Sequence, residues 1–335
     1  MKTGFATSAC AAAAAVAAVS ALERKYFADS EVTILLPSGV TAVFQIRTLE
    51  QTVDEVLCGV IKDAGDDPDV TNGIEIQASV RRNSLPENRI FGGTGVGIVT
   101  LPGLPVAVGK PAINPGSQKL IHTVLNRFLR ESGIRPGFDL TIIVPEGEAV
   151  AQRTMNPKLG IQGGISILGT DGIVHPYSVP AFRASIYTEM KVAAENGYTG
   201  IAAATGKRSE FPLNQLHRFR FSKVILSGMI GKMTKVAQGR FHTHVEQGRV
   251  DFSFLSELAR AKGIPADLCQ AILSANTARQ VQGWLSKIDV RLEPEIARLA
   301  AVETRKKVGP QYTVAVAIFS LEGELLGFSE IGGEK

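Results

Sequence analysis

Apolar and polar residues alternate through residues 31–48, EVTILLPSGVTAVFQIRT, on both sides of Pro37-Ser38-Gly39, and this period of two predicts a β-hairpin. The same alternation in TNGIEIQASVRR (71–82) predicts another strand, and FGGTGVGIVT (91–100) runs from a glycine cluster into a short apolar strand rather than a helix. Between residues 115 and 130 the period changes: Leu120, Ile121, Val124, Leu125, Phe128 and Leu129 recur at helical spacing, and Gly133 with Pro136 ends the element. FDLTIIVPEG (138–147) is again a strand. Near the start, SACAAAAAVAAVSALERK is dominated by the strongest helix former, which predicts a close-packing helix from an N-cap at Ser8 to about Arg24. Helical and strand patterns then alternate: helix 178–196, strands 199–205 and 223–228, helices 229–238, 251–262, 266–274, 276–287 and 294–307, and strand 312–319. The fold class is therefore α+β and α/β in one two-domain protein. Residues 1–155 form a strand-rich α+β domain carrying the alanine-rich helix, and residues 156–335 form a layered α/β domain.

The length of 335 residues supports two domains, because single cores stop growing near 250–300 residues. With 44% hydrophobic and 20% charged residues the chain is globular, not disordered or fibrous. Its 36 basic and 32 acidic residues are interspersed, with no basic stripe to track a phosphate backbone, so no nucleic-acid partner is expected. The alanine run is too short and too weakly apolar to span a bilayer, so no membrane partner is expected. Cys10, Cys58 and Cys269 are widely spaced without a CxxC, which fits a cytoplasmic location and neither a disulfide framework nor a zinc module.

Five stretches carry candidate chemistry. Asp63, Asp66, Asp67 and Asp69 crowd four carboxylates into a loop; a cation, a ligand amine, a general base of raised pKa or a solvated turn would each explain them. GGTGVG (92–97) permits close backbone approach, yet it opens a strand and lacks the G-K-[ST] of a phosphate loop. Residues 156–172 hold five glycines with Ser166 and Thr170, suited to wrapping a ligand edge or to a buried strand with tight turns. Ser227-Gly228-Met229-Ile230-Gly231-Lys232 joins a strand to a helix, a context for a negatively charged group at the helix N-terminus. His242 and His244 share one side of an extended segment but lack a third ligand at recognisable spacing, so no metal site is expected. The segments 92–97, 160–172 and 227–232 are expected to converge on one cleft.

Taken jointly, TGFATSACAAAAA, VIKDAGDDPDVTNG, GGTGVGIVTLPGLPVAVGKPAINP, NPKLGIQGGISILGTDGIVHP and ILSGMIGKMTKVAQGRFHTH resemble the cobalt-precorrin-5B C1-methyltransferase family of cobalamin biosynthesis, in family order over most of residues 3–251. The resemblance implies S-adenosylmethionine as methyl donor and a cobalt-corrin small molecule as substrate, and leaves room for a homo-oligomer. Departures stand at Thr7-Ser8-Ala9, at Val16, at residues 203–208 and in a shortened segment between Thr205 and Lys223. The implied assignments are Asp63 and Asp67 as catalytic residues, and Ser227, Gly228, Gly231 and Lys232 against the donor. Thr7, Gly93, Gly95, Gly97, Asn114, Gly163, Gly164, Ser166, Thr170, His242 and His244 are assigned to the substrate. Lys110, Arg153, Lys158 and Lys232 are natural contacts for its acidic arms. Rival readings are a non-catalytic corrinoid- or tetrapyrrole-binding protein and a phosphoryl-transfer enzyme using the glycine-rich loops.

Overall fold

A computed structural model describes residues 1–24, 30–205, 210–243 and 249–333. They fall into two compact units, Met1–Val192 and Ala193–Lys335. The first unit runs β1 (Gly4–Phe5), α1 (Thr7–Arg24), β2 (Glu31–Leu35), β3 (Thr41–Gln51), β4 (Glu55–Ile61), β5 (Glu75–Arg82), β6 (Arg89–Gly92), β7 (Gly95–Val96), β8 (Ile98–Val99), α2 (Pro115–Ser132), β9 (Phe138–Ile143), α3 (Gly147–Ala151), β10 (Ile161–Gln162), β11 (Gly164–Ile165) and β12 (Ile173–Val174). Helix α4 (Val179–Glu195) carries the boundary.

A six-stranded sheet in the order β2-β3-β4-β5-β9-β6 forms the backbone of this unit, antiparallel except for the β9–β6 pair. Helix α1 packs against β2, β3, β4 and β5 and also against α2. Every residue from Thr7 to Ala21 is buried, and a helix apolar all round belongs inside a core. Alanine serves this position because its single methyl lets the helix axis approach sheet and neighbouring helix alike. Helix α2 covers α1 with Leu120, Ile121, Val124, Leu125 and Leu129, each worth about 1.5–3 kcal/mol when fully buried. Its ends follow the expected chemistry: the Asn114 side chain accepts from the Gly116 N–H, Pro115 opens the first turn, and Gly133 closes the helix in the left-handed region.

The second unit runs β13 (Gly200–Ala204), α5 (Glu210–Gln215), β14 (Lys223–Gly228), α6 (Ile230–Val236), α7 (Phe252–Ala261), α8 (Ala266–Leu273), α9 (Ala278–Ser286), α10 (Glu293–Val308), β15 (Thr313–Phe319) and β16 (Leu325–Ile331). Its sheet has the order β13-β14-β15-β16; the first three strands are parallel and β16 returns antiparallel. Helix α10 packs on β15, β16 and α6. The whole is thus a mixed α/β protein, sheet-rich in its first part and helix-plus-sheet in its second.

Two expectations change. The division into compact units falls at Val192/Ala193 rather than 155/156, because residues 161–174 supply β10, β11 and β12, which pair with β8, β7 and β1. Ser8 is not an N-cap: the helix already includes Thr7, and the Ser8 hydroxyl donates to the Gly169 carbonyl at 2.7 Å.

Candidate functional site

Most of the candidate residues of the first unit meet around two backbone crossings. At the first, β7 pairs in parallel with β11 and β8 pairs antiparallel with β10, so residues 95–99 and 161–165 lie side by side. Gly95 has φ +72° and a side chain on it would overlap the Val144 carbonyl oxygen, while side chains on Gly147 or Gly164 would overlap the Gly95 carbonyl oxygen. Three chain segments therefore touch backbone to backbone, which only glycine allows. The N–H groups of Gly93 and Gly97 donate to Ile142 and Ile165 at 2.8 and 2.9 Å. These two amides have carbonyl partners, so GGTGVG does not present them as a phosphate cradle. Gly163 differs: it is exposed, with φ +76° and open space where a side chain would stand.

At the second crossing, β1 pairs with β12 while the Phe5 N–H donates to the Asp63 carbonyl at 2.7 Å. The N-terminal strand is thereby held between the acidic loop and residues 168–174. The Thr7 hydroxyl donates to the Leu168 carbonyl and accepts from the Leu168 N–H at 2.8 Å. Asn114 donates its N–H to the Ile167 carbonyl at 3.1 Å, and Thr170 lies beside Gly116 in the next turn. The Ser166 hydroxyl donates to the Asn156 Oδ1 at 2.9 Å, and Asn156 Nδ2 donates to the Gly164 carbonyl at 3.1 Å.

All four carboxylates of the acidic loop have donors. Asp63 accepts from Lys2 Nζ at 2.7 Å and from the Gly65 N–H at 2.8 Å. The Lys2 hydrogen bond, then that of Gly65, holds its pKa below the ordinary carboxylate value. The Lys2 and Gly65 bonds thus outweigh the crowding of like charges at Asp63. Asp66 accepts from the Lys2 backbone N–H at 2.6 Å and Asp67 from the Tyr177 N–H at 3.1 Å. Asp69 accepts at 2.7 Å from Lys62, whose side chain is 1% exposed.

Three apolar side chains nearby, Ile98, Val108 and Leu168, are exposed. Lys110, Arg153 and Lys158 are exposed too, with no carboxylate in ion-pairing range among the described residues. The exposed apolar set went unseen in the sequence, since Ile98 and Leu168 look there like ordinary strand interior.

Ser227, Gly228, Gly231, Lys232 and His242 lie in the second unit, and His244 lies outside the described residues. The turn sits at the carboxyl end of β14, within the parallel part of the sheet. Met229 makes no side-chain cap, and Lys232 Nζ donates to the Thr205 carbonyl at 2.8 Å. Gly228 is required, since a side chain would overlap Thr205 Oγ1. Gly231 is not, because a Cβ there would meet Ala278 and Val250 at ordinary distances of 3.6 and 3.7 Å. Lys235, 4% exposed, donates to the Thr243 carbonyl at 3.2 Å, and its pKa is pushed down by burial and by the cations Arg240 and Lys232. His242 Nε2 stands 2.5 Å from Glu210 Oε2, whose partner oxygen accepts from Lys307 at 2.6 Å. Nothing in the spacing of Glu210 and Lys307 announced this chain of contacts.

Residues 1–176 match the family described as CbiD, and residues 242–330 match CbiD, C-terminal domain. The chain belongs to the CbiD family. Similar proteins named cobalt-precorrin-5B C(1)-methyltransferase come from Geobacillus sp. (strain WCH70), 39% identical over 98% of this chain and 96% of that protein, and from Pseudomonas fluorescens (strain Pf0-1), 39% identical over 98% and 95%. Another from Priestia megaterium is 38% identical over 98% and 95%. A crystal structure of cobalamin biosynthesis protein (cbiD) from Archaeoglobus fulgidus is 29% identical, with a TM-score of 0.43 over 79% of this chain and 85% of that one. In this CbiD chain both backbone crossings lie within the segment matched by the first family description. No described helix is long and apolar enough to cross a membrane.

Proposed function

We propose that this CbiD chain is an S-adenosylmethionine-dependent methyltransferase acting at C1 of cobalt-precorrin-5B in cobalamin biosynthesis. The observation that carries this reading is its likeness, over nearly the full length of both partners, to proteins bearing that activity in their names.

The residues fit both reactants. A donor carboxylate suits the turn 227–232, where the first helical turn lacks a side-chain cap and Lys232 has only a carbonyl for a partner among the described residues. When bound, S-adenosylmethionine supplies a methyl group already activated on a sulfonium. What remains for the protein is placement, which contributes roughly 7–11 kcal/mol in well-oriented reactions. Ile98, Val108 and Leu168 would lie against a flat ring, while Lys110, Arg153 and Lys158 would pair with its acetate and propionate arms. Asp63, ionised and pinned by Lys2, serves as an orienting acceptor rather than a base, with Asp67 beside it.

The test is incubation with cobalt-precorrin-5B and methyl-labelled S-adenosylmethionine. Label in the corrin product is expected; corrin binding without label would leave only a binding protein. Separately, Lys232→Ala should weaken S-adenosylhomocysteine about tenfold to a hundredfold. Unchanged affinity would move the donor elsewhere.

A further inference from the structure

A cavity of about 510 Å³ opens between the second half of α2 and residues 86–88 and 134–136, and none of the residues assigned above lines it. His122, Asn126 and Arg130 stand four residues apart on α2, so they form one row along its face. Glu87 faces them, and Leu129 and Ile134 supply apolar wall.

Asn126, Arg130 and Glu87 are exposed and keep hydrogen-bonding or ion-pairing capacity in this wall. The Gly137 and Phe138 N–H groups donate to Asn88 Oδ1 at 3.0 and 3.1 Å, which turns Asn88 Nδ2 toward Asn126 Oδ1 at 3.1 Å. Asn126 therefore keeps its NH2 as a donor, with no acceptor among the described residues. Arg130 and Glu87 share the cavity yet form no ion pair with each other or with any described side chain. Burial pushes the His122 pKa below its ordinary value, with the Glu87 carboxylate opposing, so the imidazole is a neutral hydrogen-bonding group above that range.

We propose that this cavity binds an α-amino-acid zwitterion, with its carboxylate on Asn126 and Arg130 and its ammonium on Glu87. A simple anion would be repelled by Glu87 and a simple cation by Arg130; only a ligand carrying both charges satisfies both walls. The volume exceeds that of a free amino acid, so the zwitterion comes either alone or as the end of a larger molecule.

Calorimetric titration of the full chain with L-methionine, its methyl ester and S-adenosylhomocysteine tests this. Methionine binding is expected to weaken about tenfold or more in Arg130→Gln, Glu87→Gln and Asn126→Asp, and equally on esterification. Asn126→Asp is the sharpest variant, since it keeps the acceptor that Asn88 needs, removes the donor and sets a negative charge against the ligand carboxylate. If S-adenosylhomocysteine suffers the same losses, the larger molecule is the source; if methionine alone does, the free amino acid is. Absence of binding by both, or affinities unchanged in Asn126→Asp and Arg130→Gln with melting temperature intact, would overturn the proposal and leave the methyl-transfer reading standing.

Discussion

Replacing Asp69 by Asn tests what holds the acidic loop. Lys62 Nζ lies 2.7 Å from Asp69 Oδ2 and its side chain is 1% exposed, whereas Asp69 is 26% exposed. Asp69 Oδ1 also accepts from the Thr71 N–H and hydroxyl at 2.8 and 2.7 Å, and an Asn would keep those bonds. The change thus isolates the charge: a buried ammonium is left facing an NH2. Breaking a buried pair costs about 3–5 kcal/mol, and the partial exposure of Asp69 favours about 3. For a unit of this size that lowers the melting temperature by roughly 6–12 °C, read by calorimetry. Lys62→Met in the Asp69→Asn background removes the stranded charge and should restore most of the loss. Burial raises the Asp69 pKa, but the Lys62 and Thr71 bonds outweigh it and the folded value lies below the ordinary one. Its stabilisation is therefore full above the unfolded carboxylate value of about 3.9 and disappears as pH falls through the lower folded value; Asp69→Asn should flatten that acid limb. A melting shift under about 2 °C, or no recovery in the double variant, would refute the charge account.

Asp63→Asn breaks an exposed pair with Lys2, so the melting temperature should barely change while methyl transfer slows; parallel loss of folding and turnover would make the residue structural. In urea titrations Gly95→Ala should prevent folding or cost several kcal/mol, since its side chain would overlap Val144, whereas Gly163→Ala in open space should cost only the left-handed penalty of about 1–2 kcal/mol. Burial pushes the Cys10 and Cys58 thiols up to about 12, so mass spectrometry should find both unalkylated by iodoacetamide at neutral pH until the protein is unfolded.

Helix α2 was legible because its signals are local, an apolar stripe with Gly133 and Pro136 after it; Asn114, assigned to the substrate, proved to cap its start. Helices α6 to α10 and the parallel strands of the second unit were legible for the same reason, whereas the short α5 was not. Strand β4 escaped notice because it is central and covered by α1, so EVLCGVI lacks the alternation of a half-buried strand. Strand β16 escaped because GELLGFSEI has a glycine inside it and only one neighbour to pair with. At the site, the acidic loop and the glycine segments were visible as motifs, and the structure joins 92–97 to 160–172 within the first unit. Their contacts were not visible. Thr7 and Ser8 carry the side chains of a helix start, yet they are used across the fold by Leu168 and Gly169. A partner 161 residues away leaves no local trace.

The burial of α1 bears on the order of events during synthesis. During synthesis the alanine helix emerges before the sheet and α2 that bury it, and it has no exposed face before Leu22. The strand preceding it pairs with Ile173 and Val174, so the first unit closes only after those residues, some 170 positions later, have been made. Such non-local contacts slow folding, and they leave the nascent helix in need of protection until its partners are made. Residues Gly4 to Ala21 then act as a late-inserted keystone, and a bulky fusion joined directly at Gly4 would hinder the closing step instead of merely decorating the finished fold.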